Sequence, residues 1–493
     1  MITVFNIGHS FDYEVQKLIG IFYPYEKLKI LNDIENVSGQ SIECKAESLG
    51  GIINISVKAD LLDGYSEYNI AVLCGISDKK CEENLCGALF KCLKDITGYS
   101  PAWGMLTGIR PAKLFLRLSE QFGEKETERI LKEVYFVNES KISLCKESAQ
   151  REKKIIELSK PESFSLYVSV PFCPTRCSYC SFVSHSVESA VKIIPLYVDK
   201  LCEEIKKTAE IINPLGLVLE SVYIGGGTPT SLSANQLDVI IKALKNSFDF
   251  SNLREFTVEA GRPDTVDDKK LSVLKKNGVT RISINPQSMN DSVLEKIGRK
   301  HTCAQTVEAF KSARKMGFDN INMDLIAGLP GDTAESFKET VKKVIALSPE
   351  SVTVHSLAFK RASELTKKKM FSGASESEIA GEMVDYARNE LTKSGILPYY
   401  MYRQSKTVGN LENVGYAKPG FECLYNVFIM DETHSIFAVG ASAVSKLREP
   451  GGGLIERIFN FKYPYEYINR FEEQILRKEK ISEFYDKYYK RNK

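Results

Sequence analysis

Short apolar, β-branched runs alternate with amphipathic helical patterns between residues 160 and 395. The runs that predict strands are "LYVSVPF", "SVYIGGG", "EFTVEA", "RISINPQ", "INMDLIAG" and "SVTVHSL". Between them, stretches such as "SANQLDVIIKALKNSF" repeat apolar positions every three or four residues, which is typical of helices packed on a sheet. This alternation predicts βαβ units and a parallel sheet. Because six units are fewer than the eight of a closed barrel, we expect an α/β fold with an open, partial (β/α)6 barrel.

The regions on either side of this barrel have other patterns. Residues 50–76 read as two strands joined by "DLLDGYSE", and helical patterns follow up to a charged Lys-Pro step near residue 160. After residue 396 the pattern of apolar and polar positions is irregular. The last residues, up to Lys493, form a charged, Tyr-rich helical pattern, which we expect to be a solvated face or a docking helix. The predicted domains are a small α+β domain (1–98), a helical connector (99–160), the partial barrel (161–395) and a C-terminal extension (396–493).

Composition and charge narrow the function classes. The 493 residues carry 66 Lys and Arg against 64 Asp and Glu, a net charge of +2 that creates no global field for nucleic acid. No run approaches the apolar length of a membrane span, and "MITVFNIGHSFDYE" does not look like a signal peptide. We therefore expect a cytoplasmic protein with neither a membrane nor a nucleic acid as partner.

Three of the twelve cysteines stand apart from the rest, in the stretch "VPFCPTRCSYCSF". The other nine lie among apolar neighbours and are expected to be packing residues, because Cys behaves as a small hydrophobe. Cys173, Cys177 and Cys180 follow a predicted strand at spacings of four and three. A structural zinc site normally needs four ligands, and His185 is the only local candidate for a fourth. A [4Fe–4S] cluster held by only three thiolates would keep one iron open for a ligand.

The spacing of these cysteines resembles the signature of radical S-adenosylmethionine (SAM) enzymes. The resemblance implies a [4Fe–4S] cluster whose open iron chelates SAM, and reductive cleavage of SAM to a radical that removes a hydrogen atom from the substrate. "YVSVPFCPTRCSYCSF", "YIGGGTPT", "FTVEAGRPDT", "RISINPQS", "IGRKHT" and "NMDLIAGLP" follow the order seen in the oxygen-independent coproporphyrinogen III oxidase branch, and look closest to its HemZ subgroup. The resemblance covers about residues 160 to 440.

The resemblance also implies roles for individual residues. Cys173, Cys177 and Cys180 would hold the cluster, and Tyr167 would be both a catalytic residue and a neighbour of SAM. The other positions that match SAM-contacting residues of the family are Tyr179, Gly226, Gly227, Thr228, Glu259, Gln287, Arg299, Asp324 and Ser356. Glycines at a strand end let backbone approach closely, and the guanidinium fork of Arg299 suits a carboxylate. Read without the family, the carboxylates could be structural ion pairs and Arg299 a solvated surface residue.

The implied reaction is oxidative decarboxylation of two propionates of coproporphyrinogen III to give protoporphyrinogen IX. A macrocycle with four carboxylates needs apolar walls and cationic clamps. Lys360 and Arg361, just past the sixth strand, are the candidate clamps and catalytic residues. The segment around Trp103, with Arg110, Lys113 and Arg117, is either a lid over the barrel mouth or an ordinary helix start at Pro111. A low-potential donor such as flavodoxin or ferredoxin would supply electrons.

Two alternatives stay open because the chain departs from the oxidase pattern. Ser169 replaces a histidine of the oxidases, and Cys180-Ser-Phe matches the ending of the related haem chaperones. Those chaperones, however, carry a His-Asn-x-x-Tyr-Trp segment where this chain has Tyr425 in place of the histidine. Another residue, such as His355 or His434, would then have to replace it as haem ligand. The chain could therefore be a haem chaperone, or a radical SAM enzyme acting on another tetrapyrrole.

Overall fold

The computed structural model describes residues 1–33, 39–182, 185–359, 363 and 374–489. It divides into two compact units. The first comprises Met1–Glu147, Gly373–Gly381 and Arg403–Glu412, and the second comprises Ser148–Ser372, Glu382–Tyr402 and Asn413–Lys493. The four domains predicted from the sequence stay a prediction. Among the described residues, no helix combines the length and the apolar character that crossing a bilayer requires.

The first unit is built on a five-stranded sheet in the order β2-β1-β3-β4-β5. Its strands are β1 (Ile2–Ile7), β2 (Leu28–Leu31), β3 (Ser41–Leu49), β4 (Ile52–Leu61) and β5 (Gly64–Leu73). Its helices are α1 (Asp12–Phe22), α2 (Asp78–Thr97), α3 (Pro111–Phe122) and α4 (Glu124–Glu133), and α5 (Glu139–Ile156) runs on into the second unit. Apolar residues of α1 and α2 bury one face of the sheet. The two strands predicted within residues 50–76 are confirmed as the antiparallel pair β4 and β5.

The segment predicted as a lid contains a buried polar contact within the first unit. The Trp103 side chain is 1% exposed, and its indole N–H donates a 2.7 Å hydrogen bond to the Glu412 carboxylate. The same carboxylate forms a 2.6 Å ion pair with Lys141, which is equally buried. The helix start at Pro111 is confirmed, because α3 begins there. Trp103 is thus a packing residue of its own unit, and the lid itself stays a prediction.

One eleven-stranded sheet runs through the second unit. Its strands are β6 (Ser163–Val170), β9 (Val218–Gly226), β10 (Glu255–Glu259), β11 (Arg281–Ser283), β12 (Ile321–Ala327), β13 (Ser351–Ser356), β14 (Leu397–Arg403), β15 (Glu412–Ala417), β16 (Ser435–Val439), β17 (Val444–Arg448) and β18 (Ile455–Phe459), and β7 (Phe172–Cys173) pairs separately with β8 (His185–Ser186). The helices are α6 (Val187–Ala190), α7 (Ile194–Ile212), α8 (Ala234–Ser247), α9 (Asp268–Lys276), α10 (Asp291–Lys296), α11 (Cys303–Lys315), α12 (Ala334–Leu347), α13 (Ala374–Lys393), α14 (Leu424–Asp431), α15 (Pro464–Asn469) and α16 (Phe471–Tyr489).

The six predicted barrel strands are confirmed and lie side by side. They follow the order β6-β9-β10-β11-β12-β13, and each neighbouring pair is parallel. Helices with matching apolar faces separate them in the chain, and α8 and α11 each begin with a capping box, at Ser233 and Thr302. Because all six strands are parallel, their carboxyl ends meet at one edge, where a fold of this kind gathers its functional groups.

The C-terminal extension is more regular than the sequence indicated. Strand β16 lies parallel to β6 and is followed by the antiparallel strands β17 and β18, while β15 lies antiparallel to β13 at the other end of the arc. The sequence pattern is irregular here because these strands are only five or six residues long, and two of them, β15 and β16, pair with strands far away in the chain. The last helix, expected to be a solvated face or a docking helix, packs one face against α7: Lys478 of α16 forms a 3.1 Å ion pair with Glu204 and both side chains are fully buried, while Glu472 and Glu473 on its other face are exposed.

Candidate cluster and cofactor site

The three cysteines lie on one loop directly after β6. Cys173 ends β7, and pairing with β8 places it opposite Ser186. Cys177 is buried, whereas Cys173 and Cys180 are half-buried, and among the described residues none of the three is joined in a disulfide. The Cys180 amide donates a 3.1 Å hydrogen bond to the Cys177 carbonyl, which folds the loop into a tight turn. One short loop thus presents all three sulfurs.

Loops that follow later strands hold this cysteine loop in place. After β9, the Thr228 amide donates a 2.7 Å hydrogen bond to the Phe172 carbonyl, and the Thr228 hydroxyl lies 3.5 Å from the Cys173 sulfur. After α10, the carbonyls of Ile297 and Gly298 accept hydrogen bonds from the Ser178 amide and the Thr175 hydroxyl. The position of the loop therefore depends on residues more than fifty positions away in the chain.

The electrostatics of the loop favour a neutral Cys180 thiol before a metal binds. The pKa of Cys180 is raised to about 11, chiefly by burial and to a smaller extent by the neighbouring Cys177 and Cys173. Metal binding has to deprotonate such groups. Among the described residues, no trio of His, Cys, Asp or Glu side chains converges on a single ion, and the ring of His185 packs against Tyr465. A [4Fe–4S] cluster does not need that convergence, because each thiolate binds a different iron.

The glycine run Gly225–Gly227 allows the end of β9 to pack against the start of the cysteine loop. A Cβ atom on Gly227 would lie 2.6 Å from the Phe172 carbonyl oxygen, and one on Gly225 would lie 2.7 Å from the Tyr223 ring. Gly226 has a φ of +108°, a conformation that glycine adopts without strain. The close approach that the sequence predicted for a ligand is thus made, at Gly227, by the protein's own backbone.

Glu259 and Asp324 lie close enough for their charges to interact. Glu259 is the last residue of β10, and Asp324 lies inside β12. Burial raises the pKa of Glu259 to about 7, and the charge of Asp324 adds to this, while a 2.5 Å hydrogen bond from the Tyr223 hydroxyl opposes it. The carboxylate of Asp324 accepts a 2.7 Å hydrogen bond from Asn322 and lies 4.0 Å from the imidazole of His355. A positively charged group of a ligand would therefore have the carboxyl groups of both Glu259 and Asp324 as neighbours here.

Gln287 and Arg299 carry buried polar groups that face the same region. Gln287 has a φ of +67°, which is rare for a residue other than glycine, and its backbone N–H donates a hydrogen bond to the Asp324 backbone carbonyl. Within the part of the chain that the structure describes, its side-chain oxygen is buried and receives no hydrogen bond. The alternative of a solvated surface arginine is wrong for Arg299: it is 8% exposed, donates to the Asn285 carbonyl and lies against Cys177.

Among the remaining predicted residues, the tyrosines flank the loop. The Tyr167 ring stacks on Tyr223 and Tyr425 at 6.2 and 6.0 Å between ring centroids, and burial raises its pKa. Burial also raises the pKa of Tyr179, which lies beside Arg299 on the cysteine loop. Ser356 ends β13, and its amide bonds to the Asn413 side chain at 3.1 Å. Lys360 and Arg361, the candidate clamps, lie outside the described residues.

Several residues of this site were missed by reasoning from the sequence. Tyr223 and Tyr425 stack 4.6 Å apart and complete a three-tyrosine wall with Tyr167. The buried Arg262 forms an ion pair with Asp264 next to the cysteine loop. A signal for the second pair existed, because "GRPD" places opposite charges in a loop at the functional edge of the sheet. The tyrosine wall left no such signal, since Tyr425 lies about 200 residues from Tyr223 in the chain.

Comparison with known proteins agrees with this fold and this cysteine loop. Residues 167–344 match the family model of the radical SAM superfamily. The chain is 40% identical, over 380 residues and 76% of each chain, to the oxygen-independent coproporphyrinogen-III oxidase-like protein HemZ of Bacillus subtilis strain 168. It therefore belongs to the HemZ family of radical SAM proteins.

Two further similarities are informative. The chain is 35% identical over 289 residues to the heme chaperone HemW of Lactococcus lactis subsp. lactis, covering 58% of this chain and 70% of that one. The crystal structure of the radical SAM coproporphyrinogen III oxidase HemN of Escherichia coli superposes with a TM-score of 0.51 at 24% identity, covering 65% of this chain and 72% of that one. This second likeness supports the fold alone.

The cofactors of the radical SAM superfamily are a [4Fe–4S] cluster and SAM, and the residues present fit both. Three cysteine thiols on one loop match a cluster with one open iron. The Gln287 side-chain oxygen, buried and without a donor among the residues that the structure describes, and the carboxyl of Glu259 match a ligand that brings its own hydrogen-bond donors and positive charge.

Proposed function

We propose that this protein converts coproporphyrinogen III to protoporphyrinogen IX by oxygen-independent oxidative decarboxylation of two propionates. The observation that carries the proposal is the 40% identity to the HemZ relative, whose name describes it as oxygen-independent coproporphyrinogen-III oxidase-like. That similarity extends over 76% of both chains and thus well beyond the matched radical SAM residues.

In this proposal, Cys173, Cys177 and Cys180 hold the cluster. SAM is bound by residues of the loop and the strand ends: Tyr167, Tyr179, Gly226, Gly227, Thr228, Glu259, Gln287, Arg299, Asp324 and Ser356. When bound, the cluster and SAM supply a carbon-centred radical that removes one hydrogen atom. The chain's own residues orient the reacting groups and keep water away from them.

Each propionate loses a hydrogen atom and a carboxyl group. A hydrogen atom leaves the β-carbon, the bond between the α-carbon and the carboxylate breaks and releases CO2, and one electron passes to a one-electron acceptor. A vinyl group remains. The three-tyrosine wall beside Glu259 suits this step, because buried aromatic rings exclude water from a reactive centre. Lys360 and Arg361 are the proposed clamps for the propionates, and a cytoplasmic flavodoxin or ferredoxin is the proposed electron donor.

A haem chaperone is the second candidate, because the HemW relative is 35% identical. Two contacts weigh against it. Tyr425, at the position of the chaperone histidine, is buried in the tyrosine wall, and burial raises its pKa well above the ordinary value, which disfavours a phenolate ligand. His434 is buried as well, stacks 3.7 Å from Phe428, and has hydrogen-bond contacts to two serines.

One experiment separates the candidates, including a radical SAM enzyme for another tetrapyrrole. The reconstituted protein is incubated anaerobically with coproporphyrinogen III, SAM and a strong reductant, and the products are analysed by mass spectrometry. The proposal predicts loss of two CO2 per macrocycle together with 5′-deoxyadenosine. Deoxyadenosine without CO2 loss would contradict this substrate. Absence of turnover, together with stoichiometric binding in a parallel haem titration of the pure protein, would favour the chaperone.

A further inference from the structure

Arg262 is a buried cation that the residues assigned to cluster and SAM do not include. It follows β10, its side chain is 3% exposed, and two of its guanidinium nitrogens donate to the two carboxylate oxygens of Asp264 at 3.0 and 2.9 Å. Such a two-point contact fixes the plane of the guanidinium as well as its position. The ion pair therefore aims the third guanidinium nitrogen in one direction.

That third nitrogen reaches the cysteine loop. It donates a 2.7 Å hydrogen bond to the Thr175 hydroxyl and a longer one, 3.3 Å, to the Thr175 carbonyl. Thr175 lies midway between Cys173 and Cys177, and its hydroxyl passes the interaction on by donating to the Gly298 carbonyl at 3.2 Å. One side chain thus ties the centre of the cysteine loop to the loop after β10 and to the "GRKH" stretch.

The contact does not place an unbalanced charge beside the loop. Asp264 neutralises Arg262, and His301, whose imidazole lies 4.0 Å from Asp264, has its pKa lowered to about 4 by burial and by the nearby charge of Arg299. His301 is therefore neutral at physiological pH. The effect of Arg262 on the loop is consequently one of geometry rather than of net charge.

We propose that Arg262 is a positioning residue for the cluster, acting through Thr175 to hold the first two cysteines at their working separation. The proposal rests on the assignment of the cluster to this loop and is independent of the tetrapyrrole substrate. A residue that orients a metal ligand without contacting the metal still contributes to metal retention, so its removal weakens metal binding.

The test compares three variants with a matched control in the reconstituted full-length protein. Arg262→Gln removes the contact from one side, Thr175→Val removes the hydroxyl from the other side, and Thr175→Ser restores it. Arg254→Gln is the control, because Arg254 also forms an ion pair next to β10, with Glu220 at 2.9 Å, but at the opposite end of the strands. Release of the cluster to an iron chelator is followed by visible absorption, and unfolding of the apoprotein is measured in parallel.

We expect Arg262→Gln and Thr175→Val to release the cluster about tenfold faster or more, as is usual when a residue that orients a ligand is lost. Thr175→Ser and Arg254→Gln should keep the wild-type rate, and the double variant should be no faster than Arg262→Gln alone. Wild-type release rates in both Arg262→Gln and Thr175→Val, or fully additive effects of the two, would overturn the proposal. If Arg262→Gln does not fold, the comparison of cluster release rates between Thr175→Val and Thr175→Ser provides the test. Because no tetrapyrrole is present, an error in the proposed substrate leaves these results unchanged.

Discussion

The hydroxyl of Tyr223 donates a 2.5 Å hydrogen bond to the carboxylate of Glu259, across the neighbouring strands β9 and β10. Burial raises the pKa of Glu259 to about 7, and the hydrogen bond from Tyr223 acts in the opposite direction because it stabilises the ionised form. Tyr223 thus influences how much of this carboxyl is ionised near neutral pH, at a position proposed to contact SAM.

Removing this hydrogen bond should weaken SAM binding in a pH-dependent way. In Tyr223→Phe the pKa of Glu259 rises further, so less carboxylate is available at pH 7. We expect the SAM affinity to fall roughly tenfold, the usual size for a hydrogen bond to a charged group, and to recover as the pH is raised. Titration of the reconstituted protein with SAM over a pH series measures this. Tyr425→Phe is the control, since it keeps the stack and leaves the Tyr223 bond in place; identical pH profiles for both variants would contradict the prediction.

Glu259 should also leave a signature in the stability of the protein. Its folded-state pKa of about 7 lies above the ordinary value of 4.5, so its contribution to stability is complete below pH 4.5 and is lost as the pH rises through 7. As the pH rises from 4.5 through 7, the urea midpoint of the wild type should therefore fall relative to that of Glu259→Gln. A difference that stays constant, or that moves in favour of the wild type with rising pH, would refute the raised pKa.

The buried ion pair in the first unit predicts a large loss of stability. Glu412→Gln leaves the Lys141 ammonium buried without its carboxylate, and breaking such a pair from one side typically costs about 3–5 kcal/mol. Glu133→Gln provides the control, because Glu133 pairs with Arg129 on the surface and its loss should hardly move the unfolding midpoint. Equal urea midpoints for the two variants would show that breaking the buried pair costs no more stability than breaking the surface pair, which would contradict the prediction.

The assignment of the cluster ligands predicts a sharp difference between cysteines. Cys177→Ala removes one of three proposed ligands, and we expect the reconstituted protein to lose most of its iron and its visible absorption. Cys202→Ala should retain both, because Cys202 is a half-buried cysteine of α7 outside the loop. Iron and sulfide analysis of the two variants provides the comparison. Full iron content in Cys177→Ala would rule out this ligand.

The barrel and the cysteine loop could be predicted because their signals are local. Each of the six strands has its own apolar run, and the three cysteines lie within eight consecutive residues. The glycine run was also visible, although its close packing against Phe172 depends on how two strands align. Periodicity and spacing carry this kind of information, since both depend on residues near one another in the chain.

The rest of the site depends on contacts between distant residues. Tyr425 joins Tyr223 only because α14 begins beside the sheet, where the Glu255 carboxylate accepts hydrogen bonds from the Leu424 and Tyr425 amides. Strand β16 is equally hard to predict, because its place beside β6 is fixed by pairing with a strand about 270 residues earlier. Tertiary contacts of this type override local propensity.

The central claim is that this chain holds a [4Fe–4S] cluster through Cys173, Cys177 and Cys180, with one iron left for SAM. Electron paramagnetic resonance of the reduced, anaerobically reconstituted protein tests it most directly, with and without SAM. We predict the spectrum of a reduced [4Fe–4S] cluster whose g values shift when SAM is added. A spectrum that does not change with SAM, or a protein that binds zinc in place of the cluster, would contradict the account.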